Sequence, residues 1–197
     1  MIIDDGSGKG HQAKVDDELM LHTRSVRTHE ALFAALHGVG FNAPWGSFTL
    51  TSATESALAY FLWSNTTDPA ILGRQVFSFG PSTGGAGLAR LRIVRKPTGG
   101  TIISNGTAIT PVNTNFGSGN QATGTFKKGA QGLTVTGGVD IIDMGIPPNY
   151  FFSIADVNWI IGNGSSYVTA ITPPTGNTSM VVYMLDKFYI GDEGSIK

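Results

Sequence analysis

Gly80-Pro81-Ser82-Thr83-Gly84 has the G-x-S-x-G spacing of a nucleophile elbow, in which a serine on a sharp strand-to-helix turn loses its proton to a histidine placed later in the chain. Here more glycines and a strand-like stretch follow, and all four histidines, His11, His22, His29 and His37, precede Ser82. The segment is therefore a plain turn. Gly6-Ser7-Gly8-Lys9-Gly10 carries the glycines and lysine of a phosphate-binding loop without its full spacing or the strand before it. The spacing of His22, His29 and His37 sets them roughly on one helical side, where imidazoles could hold zinc, but Ser25-Val26-Arg27 interrupts that helix. Asp140, Asp143 and Asp156 offer oxygens to calcium without the order of a calcium-binding loop. Trp45, Trp63, Tyr60, Tyr150 and Trp159 are rings that could stack on a sugar, yet most lie in apolar runs that belong in a core. The row Arg90, Arg92 and Arg95, with Arg74, could meet an acidic partner or simply line a solvated strand face. No catalytic residue, metal ligand or cofactor follows from these patterns, and the chain reads as a non-enzyme.

The elements that carry these residues are strands. Ser166 to Ile190 sets two runs rich in Val, Ile, Tyr and Met around Pro173-Pro174-Thr175-Gly176-Asn177, the signature of a β-hairpin. Met180, Val182 and Met184 fall on one side of the second run and Val181, Tyr183 and Leu185 on the other, which predicts a strand inside a sheet. Ser56 to Trp63 is likewise apolar on both faces and central. In Leu88 to Lys96, Ala89, Leu91 and Ile93 face one way and Arg90, Arg92 and Val94 the other, the alternation of a sheet with one wet side. Phe48 and Leu50 alternate with Thr49 and Thr51 after a linker, Phe41 to Trp45. Ile71 to Phe79, Val139 to Ile146 and Tyr150 to Ile154 are further strands, Thr101 to Ile103 looks like the start of another, and Asn113 to Thr125 is the most mobile loop. About eight strands at this spacing predict an all-β, antiparallel β-sandwich, jelly-roll-like, over residues 46–197.

Residues 1–45 form a second unit, an extended N-terminal arm with one short helix. The stretch up to residue 27 is polar and Gly-rich, then alternates Leu19 and Leu21 to one side; it holds too little apolar surface for a core and is expected to be extended or disordered. Thr28 can cap a helix from His29 to His37, with Glu30 in the first turn and Gly38 placed to end it. Leu32, Phe33 and Leu36 make its apolar side, which must dock on the chain's own sandwich or on a neighbouring subunit, because so short a helix is marginal in water.

Composition narrows the partners. Lys+Arg number 13 against Asp+Glu 14, so no cationic excess exists to condense on a nucleic-acid backbone or an anionic membrane. Charged residues are only 14% of the chain, a surface poor in solubilising charge of the kind found in assemblies. Cysteine is absent, so the fold needs no redox partner and can mature in a reducing cytoplasm. No secretory signal is expected from an N-terminus that turns acidic and Gly-rich at once, and no apolar run is long enough for a transmembrane helix. The sequons at Asn65, Asn105, Asn163 and Asn177 are then consequences of Asn-rich turns rather than glycan acceptors.

Asp4-Asp5-Gly6-Ser7-Gly8, Ala13-Lys14-Val15-Asp16, Glu30-Ala31-Leu32 and the close Thr172-Pro173-Pro174-Thr175-Gly176-Asn177-Thr178-Ser179-Met180 together resemble small virion proteins of tailed bacteriophages, most nearly the cement or decoration proteins of the capsid exterior. The resemblance covers both ends and, loosely, the middle strands. It implies a jelly-roll body that is trimeric, with an arm over neighbouring subunits of the major capsid protein, made in the host cytoplasm and located on the virion. Leu19, Leu21, Arg24, Arg27, Leu32, Phe33 and Leu36 would then form the capsid or subunit interface. An extended arm loses about 1–2 kcal/mol per residue in backbone entropy on ordering, so such anchors must bury apolar area to hold it. The competing reading is a phage fibre, tail or receptor-binding module, and a remoter one a carbohydrate-binding or glycan-active domain.

Overall fold

A computed structural model of the chain describes residues 34–191, apart from the side chains of residues 155–158, together with the backbone of residues 2–4 and 12–14. In chain order the strands are β1 (Ile2–Asp4), β2 (Gln12–Lys14), β3 (Gly40–Leu50), β4 (Ser56–Trp63), β5 (Ala70–Thr83), β6 (Ala89–Arg95), β7 (Thr107–Ala108), β8 (Val112–Asn113), β9 (Gly124–Lys128), β10 (Val139–Ile146), β11 (Tyr150–Ile161), β12 (Ser166–Thr172) and β13 (Ser179–Ile190). Period-two alternation decides which side of each strand meets the core. In β6, Ala89, Leu91 and Ile93 are fully buried while Arg90 and Arg92 face outward.

Two antiparallel sheets pack face to face, one in the order β10-β6-β12-β4-β9-β7 and the other β11-β5-β13-β3-β8. The eight long strands pair as a nested set: β6 with β10, β5 with β11, β4 with β12 and β3 with β13. A ribbon folded over on itself in this way is rolled up by the further pairs β5 with β13 and β6 with β12. The result is a jelly roll. Between the sheets lie Phe61, Trp63, Phe77, Phe79, Leu91, Phe126, Phe188 and Met180, with Phe61 against Phe126 and Phe188 edge-on at 4.8 and 5.1 Å between ring centroids.

Local turn signals misassign several elements. The hairpin expected across Ser166 to Ile190 does not form: β12 and β13 sit in different sheets, and Pro173 to Asn177 carries the chain between layers. Both runs are apolar enough to be central strands, and each finds its partners far away in the chain, β13 between β5 and β3 and β12 between β4 and β6. Phe41 to Trp45 is no linker but the first half of β3, with Phe41, Ala43 and Trp45 fully buried, so the boundary expected after residue 45 falls inside a strand. Pro44 fits because the ladder to β13 is interrupted there, between Asp186 and Met184, where no amide is required. Thr101 starts a short helix, Thr101–Asn105, not a strand; Thr101 and Thr134 exchange two hydrogen bonds between backbone N–H and hydroxyl oxygen, at 3.1 and 2.8 Å.

Of the N-terminal unit, β1 and β2 pair antiparallel, with Ile3 opposite Ala13. A strand pair thus stands within the stretch expected to be extended or disordered. The helix expected over His29 to His37 is described only from Ala34, as a single turn. That turn ends as the sequence indicates: Gly38 takes φ +66°, its N–H donates to Ala35 O at 3.1 Å, and Val39 N–H donates to Ala34 O at 2.8 Å, the paired bonds of a Schellman cap. Ala34 packs on Ile71 and Tyr189, while Leu36 is 66% exposed. The loop read as most mobile is tied down here, since Asn113 Nδ2 donates to Gly38 O at 2.8 Å and Asn120 Nδ2 to the same carbonyl at 3.1 Å.

Candidate binding face

The outer surface of the β11-β5-β13-β3 sheet is assembled row by row from strand register. One end of it is the row Ile160, Ile71, Tyr189 and Gly40, against which Ala34 packs. Next, Arg74 stands directly opposite Lys187. Val76 opposite Leu185 follows, flanked by Ser153 of β11, and then Phe151, Ser78, Tyr183 and Ser47 in line across four strands. Phe151 is 67% exposed and Tyr183 55%. Two aromatic rings, two half-buried aliphatic side chains, three serines and two cations therefore make one open face. Like charges set directly opposite each other across a strand pair cost stability. No carboxylate among the described residues forms a salt bridge with Arg74 or Lys187.

The other sheet treats its outer side differently. Ile102 of the short helix, with Leu133 and Val135, covers Ala57, Tyr60 and Val168, so a second small core lies outside β4 and β12. Lys127 Nζ donates to the carbonyl oxygen of Ile103 at the end of this cover. Where the cover stops, the cations are paired within the chain: Arg90 with Asp143 at 2.5 Å, and Arg92 with Glu55 at 2.7 Å and Asp140 at 2.8 Å. Arg90 beside it holds the Asp143 carboxyl below the usual range, and the hydrogen bonds to Asp140 and Glu55 raise the Arg92 guanidinium.

Inside the sandwich, Asp186 is a buried carboxylate that joins the two sheets. It accepts hydrogen bonds from Trp45 Nε1 at 2.7 Å, Gln75 Nε2 at 3.1 Å and, across the core, Tyr167 OH at 2.5 Å. Burial pushes the Asp186 carboxyl up to about 6 against the pull of these three donors, and the Tyr167 phenol is raised well above its ordinary value by burial and by Asp186. Gln75 Oε1 and Thr169 Oγ1 are buried without a hydrogen-bond partner. All four side chains of the cluster are buried, so its hydrogen bonds bear on stability.

The residues nominated by sequence fall in several places. Ser82 lies on β5, not on an elbow, and its hydroxyl donates to Asn177 Oδ1 at 2.7 Å. Asn177 also donates to Leu50 O at 2.9 Å and is buried, which closes that sequon to glycan. Gly6 to Gly10, His11, His22 and His29 lie outside the described residues, as does the side chain of Asp156. Among the described residues no three His, Cys, Asp or Glu side chains gather as metal ligands. Trp45 and Trp63 are fully buried and Tyr60 nearly so, while Tyr150 is exposed at the sheet edge, stacked on Phe152 at 6.1 Å. The arginine row is split, Arg90, Arg92 and Arg95 on one sheet and Arg74 on the other. Of the interface residues, Leu19, Leu21, Arg24, Arg27, Leu32 and Phe33 lie outside the described residues; Leu36 is described and points to solvent.

Phe151, Tyr183, Lys187 and Asp186 were not singled out as functional residues by sequence reasoning. Tyr183 was visible as one of three apolar residues on the second side of β13, and an uncovered second side was the signal. No protein-family model matches the chain, and no curated protein matches it.

Proposed function

We propose that this protein is a structural virion protein that binds the outside of a phage capsid and stabilises it, self-associating as a trimer, with residues 1–33 as the tether to neighbouring subunits. The observation that supports this reading is the unequal treatment of the two outer faces. One is covered by the chain's own insertion, with Arg90 and Arg92 paired to carboxylates; the other is aromatic and broad, and its Arg74 and Lys187 have no carboxylate partner among the described residues, which suits a protein surface and not a small substrate. Jelly rolls serve in capsids, lectins and cupins alike, so the fold by itself leaves the function open. A linked set of tethers gains effective concentration, and individually weak contacts then clamp a shell.

The test is truncation after residue 33, which spares the turn at Ala34 and all of β3. The body should stay folded by circular dichroism and lose its binding to capsids in co-sedimentation. Normal decoration by the truncated protein would overturn the tether. Copy number per particle on a stained gel separates a cement protein, present at a level comparable with the shell protein, from a fibre or receptor-binding module present in a handful of copies.

A further inference from the structure

We infer that the open face of the β11-β5-β13-β3 sheet is the seat of residues 16–21 of a second copy of this chain. The inference takes self-association from the proposed function and needs nothing about a capsid.

Charge balance selects the occupant. Arg74 and Lys187 face one another across β5 and β13 and have no carboxylate partner among the described residues. A second sandwich body offers few: Glu55, Asp140 and Asp143 are engaged by Arg90 and Arg92, and Asp186 is buried, which leaves Asp68 among the described carboxylates. The acids outside the described side chains are Asp4, Asp5, Asp16, Asp17, Glu18, Glu30, Asp156, Asp192 and Glu193. Ile2–Asp4 is already paired with Gln12–Lys14. Asp16-Asp17-Glu18 then runs directly into Leu19-Met20-Leu21, acids followed by apolar residues. The face has the same two parts, cations in one row and Val76, Leu185, Tyr183 and Phe151 in the rows beyond.

Reach permits a neighbour. Residues 22–33 can span roughly 40 Å when extended, at about 3.3 Å per residue. Each chain enters its sandwich at Ala34, packed on Ile71 and Tyr189 at the end of its own open face. Phe151 and Tyr183 are 67% and 55% exposed, a surface open to another copy. Because every copy brings both a face and a segment, reciprocal exchange closes a dimer and head-to-tail exchange closes a ring such as a trimer.

Sedimentation velocity on the purified full-length protein over a concentration series tests this without any shell. Self-association weakened at 1 M NaCl is expected. The double variant Arg74→Glu/Lys187→Glu, and separately Phe151→Ser, should weaken it at least about tenfold while melting like the wild type, since all three side chains are on the surface. The triple variant Asp16→Lys/Asp17→Lys/Glu18→Lys should be equally weak alone and should associate when mixed with the Arg74→Glu/Lys187→Glu protein. A wild type that stays monomeric at every concentration overturns the inference. So does association that survives the charge reversals, or failure of the two opposite-charge variants to bind each other. Self-association that follows these expectations, together with normal capsid decoration after removal of residues 1–33, would instead count against the tether reading alone.

Discussion

The two outer faces of this sandwich share one core and differ in how they end. Outside β4 and β12, Ile102, Leu133 and Val135 bury the second side of the strands, and Arg90 and Arg92 are neutralised by Asp143, Asp140 and Glu55. Outside β5 and β13, Phe151 and Tyr183 stand in the open beside Arg74 and Lys187. A strand pair with apolar residues on both sides can thus be finished in two ways, by a segment of the same chain or by something that arrives later. The insertion between β6 and β10 carries the helix and β7 to β9; its helix, β7 and β9 serve the first sheet, while β8 extends the second at the β3 edge and leaves the outer side of β5 and β13 bare of it. The asymmetry leaves Phe151 and Tyr183 of the second sheet exposed where the first sheet is covered.

The comparison breaks most sharply at Ile102. Ile102→Ala should cost about 2–4 kcal/mol in urea denaturation, because the residue is fully buried in a small cluster that cannot easily collapse. Phe151→Ser, though it removes a larger side chain, should stay within about 0.5 kcal/mol of wild type, as an exposed position does. Equal losses at the two sites would mean that the faces are not different in kind.

Asp186 makes the second test, since it hangs on the inner side of the open sheet. An unfolded aspartate titrates near ~3.9, whereas burial sets this one at about 6 in the fold. The folded protein holds the proton more tightly, so this group's stabilising contribution is complete below about pH 4 and is lost as pH rises through about 6. Asp186→Asn removes that dependence, and its stability relative to wild type should rise by roughly 2 kcal/mol between pH 4 and pH 7. Parallel pH profiles for the two proteins would show that the carboxyl is not perturbed in this way.

The smallest effect is expected on the closed face. Arg92 lies between two carboxylates and is only 20% exposed, so Arg92→Met should cost about 1 kcal/mol and leave Glu55 and Asp140 repelling each other. The half-exposed pair Arg90 and Asp143 contributes less, and a measured order with Arg90→Met the more damaging would contradict the geometry.

Legibility in the sequence followed the range of the cause. β6 was readable because alternation of Ala89, Leu91 and Ile93 with Arg90 and Arg92 is a property of neighbouring residues. The Gly38 cap was readable for the same reason: a left-handed turn needs a residue without Cβ, and a Cβ on Gly38 would strike Ser118. Pro173 to Asn177 misled, because residues that reverse a chain within one sheet also carry it from one sheet to the next. Thr101 to Asn105 misled in another way, since its helix is held by Thr134 and by the surface under Ile102, both distant in sequence. The open face was hidden because apolar residues on both sides of β13 indicate a strand inside a sheet and say nothing of what covers its outer side.

By itself the amino-acid sequence determined the class of structure, its short strands, the side of β6 that is wet and the place where the helical turn before β3 must stop. These depend on backbone angles and on period-two hydrophobicity, which act over a few residues. Only the tertiary structure decided that β13 pairs with β3 from the other end of the sandwich, that a carboxylate at Asp186 sits among Trp45, Gln75 and Tyr167, and that one outer face is closed while the other is left open. Those outcomes turn on which apolar surfaces meet across the roll, and that is settled by packing between segments from about twenty to more than a hundred residues apart.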